Sequence, residues 1–125
     1  MQFTRENDRS VNLVRACAPG RVQVNEQEFS RSMILTRERI IPDWSPTVVD
    51  ELCAADLDDV LALDPEIILV GTGERLRFPD QKLLARALER GVGIECMDTG
   101  AACRTYNILV QEGRRVAAAL LISTR

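Results

Sequence analysis

Residues 65–73 read Pro65-Glu66-Ile67-Ile68-Leu69-Val70-Gly71-Thr72-Gly73, and this run decides the fold class. Ile67 to Val70 leaves no polar face, so the segment reads as a strand covered on both sides, ended by Gly71-Thr72-Gly73. Downstream, Pro79 and Asp80 open a helix with an apolar stripe of Leu84, Ala87 and Leu88, and Gly91 falls at its left-handed C-terminal cap. Val92 to Met97 is the next strand. Asp98 or Thr99 then caps a helix with Cys103, Tyr106 and Val110 on one side and Arg104, Asn107 and Gln111 on another; Gly113 closes it, and Val116 to Ile122 makes the final strand. Just upstream, a short helix capped by Asp56 carries Leu57, Val60 and Leu61 and stops at Asp64-Pro65.

Buried strands alternating with short helices predict a C-terminal β-α-β-α-β unit with helices covering a central sheet. The N-terminal half has a different rhythm. Val11 and Leu13 alternate toward Ala16, Pro19-Gly20 is a turn signal, Val22 and Val24 alternate again, and Asn25-Glu26 marks a second turn. Phe29 to Leu35 and Arg39 to Ile41 read as further strands, and Pro42-Asp43-Trp44-Ser45-Pro46 stops the region. The expected fold class is therefore α/β: a single three-layer domain over residues 11–125, with a central mixed sheet and an extra N-terminal β layer. Residues 1–10, with Phe3 as their one anchor, are expected to be a flexible end whose removal is nearly neutral.

Composition narrows the chemistry. The 125 residues are 46% hydrophobic and 28% charged, the ordinary range for one globular domain. Histidine is absent, which removes the commonest general base near neutral pH, the Ser-His and Cys-His pairs and most zinc sites. With 16 basic against 19 acidic residues, no basic surplus marks a nucleic-acid partner. The longest apolar stretch, Val116 to Ile122, falls far short of the roughly 20 residues needed for a membrane span. The N-terminus MQFTRENDRS fits neither a secretory signal nor an acid-poor presequence, so a freely soluble cytoplasmic protein is expected. Cys17, Cys53, Cys96 and Cys103 form no Cys-x-x-Cys pair; they are expected to be reduced, with no metal. Gly71-Thr72-Gly73 begins a dinucleotide fingerprint that Leu76 breaks at its third glycine, so no cofactor is expected.

The segments Pro65 to Gly73, Gly91 to Thr99, Ala101 to Leu109 and Gly113 to Leu120, in this order and spacing, resemble one family. It contains the third assembly factor of mitochondrial complex I, the human adipogenesis-associated small domain protein and many bacterial and archaeal proteins of unassigned function. The resemblance is strong over residues 65–121 and weaker from Ser32 to Trp44. It implies the three-layer fold described above, no reaction, and a binding or assembly-type module with a protein partner. Without a presequence pattern, the mitochondrial role itself is not carried over; a bacterial protein of unassigned function is expected.

In open α/β sheets, ligands bind beyond the carboxyl ends of the parallel strands. Gly71, Thr72 and Gly73 would meet Asp98, Thr99 and Gly100 there, and Arg104, with Arg75 and Arg77 nearby in sequence, would supply positive charge. The two Gly-Thr loops and Arg104 are the expected ligand-binding site, with a preference for a small anionic group. The same glycines equally serve tight turns, and Asp98 or Thr99 a helix cap. Cys103, in the first turn of its helix, reads as a buried structural thiol more readily than as a nucleophile. Trp44 and Tyr106 read as packing, and Asp56, Asp58, Asp59 and Asp64 as capping and solvated residues. Two functions remain: a non-enzymatic binding module, or a small-molecule or anion-binding enzyme built on the two Gly-Thr loops.

Overall fold

The computed structural model describes residues 11–123, so the expectation for residues 1–10 lies outside the described residues. The chain opens with β1 (Val14–Ala18), β2 (Arg21–Val24) and β3 (Gln27–Phe29), an antiparallel meander. Both of its turns sit where the turn residues predict them: Gly20 takes φ 81° after Pro19, and Asn25 takes φ 54° between β2 and β3. The Asn25 side chain completes the corner by accepting from Leu13 N at 3.1 Å and donating to Asn12 Oδ1 at 2.9 Å.

The run from Phe29 to Leu35 is not one strand. It breaks at Ser30-Arg31-Ser32, and β4 (Met33–Thr36) and β5 (Ile40–Ile41) belong to a different sheet. The break follows from hydrogen bonding: β3 pairs with β2, whereas β4 pairs with the last strand, so the chain must cross between layers. Ser32 is buried at the crossing, and its hydroxyl accepts from Ile122 N at 2.9 Å.

After a 3-10 turn at Val49–Glu51 come α1 (Ala54–Leu61), β6 (Ile67–Gly71), α2 (Gln81–Glu89), β7 (Gly93–Met97), α3 (Thr99–Gln111) and β8 (Val116–Leu120). The second sheet has the order β5-β4-β8-β6-β7, with β6 parallel to both β7 and β8 and β4 antiparallel to β8. It is the expected central mixed sheet. The path steps one way from β6 to β7 and back past β6 to β8, and right-handed crossovers then force α2 and α3 onto opposite faces.

Side-chain parity matches that arrangement. Ile68 and Val70 pack with Leu57, Val60, Ala87 and Trp44 under α1 and α2. Leu69 packs with Ala102, Tyr106, Val110 and the meander's Val22 and Val24 on the other face. The meander and α3 thus share one layer, and β8 between them and α1 is Val-Ala-Ala-Ala-Leu, buried throughout. Asn107 stitches the shared layer: its amide accepts from Val14 N at 2.9 Å and donates to Val14 O at 2.8 Å. Trp44 is core, and its Nε1 has no hydrogen-bond partner among the described residues.

Two helix details differ from the sequence reading. The cap of α1 is Cys53 rather than Asp56; Asp56 instead sits in the first turn, where its carboxylate reaches back to accept from Cys53 N at 3.1 Å. On α2, Leu83 and Ala87 face the core while Leu88 is 64% exposed. Leu83 and Ala87, one turn apart, share the buried side and leave Leu88 outside it, and beside them the Arg86 guanidinium forms a two-point bond with Asp58 of α1 at 2.8 and 2.9 Å. Asp80 caps α2, and Gly91 closes it at φ 75°, as expected.

Candidate functional site

The carboxyl ends of β6 and β7 do bring the two Gly-Thr loops together, and Thr99 is the reason they stay there. Its N donates to Gly73 O at 2.8 Å, its Oγ1 accepts from Gly73 N at 2.8 Å, and the same hydroxyl donates to Leu121 O at 2.9 Å. Asp98 caps α3 by accepting from Ala101 N at 2.8 Å, and its backbone carbonyl accepts from Ala102 N at 2.9 Å. Most of the N–H groups that a helix N-terminus could aim at a ligand are therefore bonded within the protein.

Gly71 lies inside this knot. A Cβ there would stand 3.0 Å from both Thr99 Cα and Thr99 Oγ1, so the glycine is what lets α3 start so close to the strand end. Thr72 is buried, and its hydroxyl donates to Arg75 O at 2.6 Å and accepts from Arg77 N at 3.1 Å, which folds the following loop into a defined path.

Beside the knot opens a cleft of about 740 Å³, within the size range of small-molecule and peptide sites. Thr72, Gly73, Asp98, Thr99 and Gly100 line it, together with Arg75 and Arg77. Gly71 does not reach it, and Arg104 stands at its margin, with Nη1 3.6 Å from where a Gly100 Cβ would be. Its remaining walls are the β1–β2 hairpin with Arg21, the 3-10 turn with Asp50, and the exit of β8 at Leu121 to Ser123. Sequence reasoning did not include these. The Pro19-Gly20 turn signal announces a hairpin but not the sheet end over which the hairpin leans.

The charges in the cleft are unequal in availability. Arg21 is 3.5 Å from Glu28, and Asp98 is engaged as a cap. Arg75, Arg77 and Asp50 form no ion pair among the described residues.

Cys103 faces away from reactivity. Burial pushes its thiol pKa well up, the neighbouring Cys17 pushes the same way, and the Arg104 charge opposes them with a smaller effect. In the native protein, an alkylating reagent is expected to label the exposed Cys17 and Cys53 and to leave Cys103 intact until the chain unfolds. Peptide mass mapping reads the result; rapid native labelling of Cys103 would contradict it. No group of three or more Cys, Asp or Glu side chains among the described residues could hold a metal ion, and no helix there is long and apolar enough to cross a membrane.

A family described as "Protein of unknown function (DUF498/DUF598)" matches residues 14–121. A Francisella tularensis protein named "13 kDa major membrane protein" is 32% identical over 104 residues, which span 82% of this chain and 84% of that one. The NADH dehydrogenase (ubiquinone) 1 alpha subcomplex assembly factor 3 of Xenopus tropicalis is 46% identical over 56 residues, 45% of this chain but only 31% of that protein. Among solved structures, a Bordetella parapertussis protein superposes with a TM-score of 0.86 at 39% identity, covering 91% of this chain and 98% of that one.

Proposed function

We propose a non-enzymatic binding role, of the kind an assembly factor performs, for a chain that belongs to the DUF498/DUF598 family of proteins of unknown function. The observation that carries this reading is the cleft: Arg75 and Arg77 line it without an ion-pair partner among the described residues, on a loop that Thr72 holds in place. Guanidinium groups carried on a backbone held in place are suited to binding acceptors. Chemistry has less support. The chain has no histidine to act as an imidazole base, and burial raises the pKa of the Cys103 thiol, so that thiol is not an activated nucleophile. In this reading the partner is a protein, which the similarity to a complex I assembly factor supports, and the setting is the cytoplasm.

In this reading Thr72, Gly73, Asp98, Thr99 and Gly100 form the floor of the site, Gly71 sets its shape from behind, and Arg104 adds charge at its margin. A second reading, a small anionic ligand or an enzyme acting on one, draws on the same two arginines. Amide chemical-shift mapping tests the site directly. A bound ligand is expected to perturb residues 71–77 and 98–104, and binding is expected to weaken about tenfold or more in an Arg75→Glu/Arg77→Glu variant, while Gln111→Ala at the far end of α3 changes nothing. Perturbations confined to other surfaces, with those residues silent, would overturn the assignment.

A further inference from the structure

The segment Arg75-Leu76-Arg77-Phe78 joins β6 to α2 without regular secondary structure, and its side chains sort by parity. Arg75 and Arg77 line the cleft; Leu76 and Phe78 do not, and are 52% and 70% exposed. From Arg75 to Phe78 the loop is thus a strip with two cationic side chains at the cleft and two apolar ones away from it, and Glu74 precedes them in the lining. Its path is held by the Thr72 hydroxyl, which is bonded to the backbone of both Arg75 and Arg77.

Two features separate the candidate occupants. The cleft also carries Asp50 and Glu74, neither of which is in an ion pair among the described residues. A free phosphate, a nucleic-acid backbone or an anionic lipid surface would be attracted by the two arginines and repelled by these carboxylates. A polypeptide presents donors and acceptors in alternation, so it can place a carboxylate on the arginines and a donor against Asp50. The exposed pair Leu76 and Phe78 adds apolar area on the outer side of the strip, where a ligand confined to the cleft does not reach but a larger partner does.

Resting on the reading of the cleft as a binding site, we infer that its occupant is an extended segment of a partner protein that carries both carboxylates and donors, one carboxylate held by Arg75 and Arg77 and a donor set against Asp50, while the partner's apolar surface covers Leu76 and Phe78. The kind of partner follows from charge complementarity with both walls of the cleft and from the apolar pair beside it.

The test uses the full chain and three probes: a blocked peptide that repeats Glu, Leu, Lys and Leu, inorganic phosphate, and phosphatidylglycerol vesicles. The peptide is expected to shift the amides of residues 48–50 and 73–78 saturably. Its affinity is expected to fall about tenfold or more in Arg75→Glu/Arg77→Glu and several-fold in Leu76→Ser/Phe78→Ser. All four substituted side chains are exposed, and amide dispersion checks that each variant folds. Phosphate binding that depends on the arginines, without peptide binding, would overturn the inference and leave the cleft reading standing. Arginine-dependent cosedimentation with the vesicles, without peptide binding, would overturn it in favour of a membrane surface. Peptide binding indifferent to Leu76 and Phe78 would overturn the apolar contact, and silence of the cleft toward all three probes would sink the inference and the cleft reading together.

Discussion

Replacing Tyr106 with alanine is expected to destabilise the protein by about 3–5 kcal/mol, the cost of emptying a large aromatic site in a packed core. Tyr106 is 0% exposed, and it sits where α3, the central sheet and the meander meet. On this side of the sheet β8 presents Val116, Ala118 and Leu120 to the same cluster, and Ala118 is too short to fill the space the ring would leave. Its hydroxyl donates to Asn12 O at 2.8 Å and so ties the segment that enters β1 to the helix. Tyr106→Phe keeps the ring and loses that bond, for an expected cost of about 1 kcal/mol. Urea denaturation of the two variants separates packing from hydrogen bonding: the midpoint should fall far more for alanine than for phenylalanine. Equal effects would mean that the hydroxyl, not the ring, holds the layer.

Thr99→Val is expected to cost about 1–3 kcal/mol despite near-identical shape, since it leaves one buried and one half-buried backbone group without partners and an unpaired buried group costs about 1–3 kcal/mol. The groups are Gly73 N and Leu121 O, both bonded to the Thr99 hydroxyl, and Thr99 is itself buried. Thr99→Ser retains the hydroxyl and should recover most of the loss. Thermal unfolding of the three proteins checks this, and a valine variant as stable as the parent would show that the hydroxyl does not organise the loops. The prediction bears on function too. Reduced ligand binding in Thr99→Val would report a loosened strand end, so the arginine variants are the sharper probe of the cleft.

Much of the β-α-β-α-β half was legible because its determinants are local. Ile67 to Val70 carries no polar face, Asp80 and Asp98 each accept from a backbone N–H at a helix start, and Gly91 and Gly113 take φ of 75° and 84° at the ends. Each residue type favours its conformation whatever the rest of the chain does. Errors arose where a distant partner chose between equal local options. Ser30-Arg31-Ser32 can continue a strand or leave it, and only the pairing of β4 with β8, at the other end of the chain, breaks it there. Likewise, Leu88 fits an apolar stripe as well as Leu83 does, and only the packing of α2 on α1 and the sheet puts Leu83 and Ala87 inward.

The candidate site divides in the same way. From the sequence alone came the two Gly-Thr loops at the carboxyl ends of adjacent parallel strands, the absence of an imidazole base and the arginines that follow β6, because strand order, composition and short-range spacing are written in the chain. Tertiary structure decided what those loops do. Thr99 commits its hydroxyl to Gly73 and Leu121, so the loops bond to each other, while the open volume lies beside them under the β1–β2 hairpin and the 3-10 turn. No local pattern carries that information, since a buried N–H or carbonyl takes whichever partner the packed layers bring within about 3 Å.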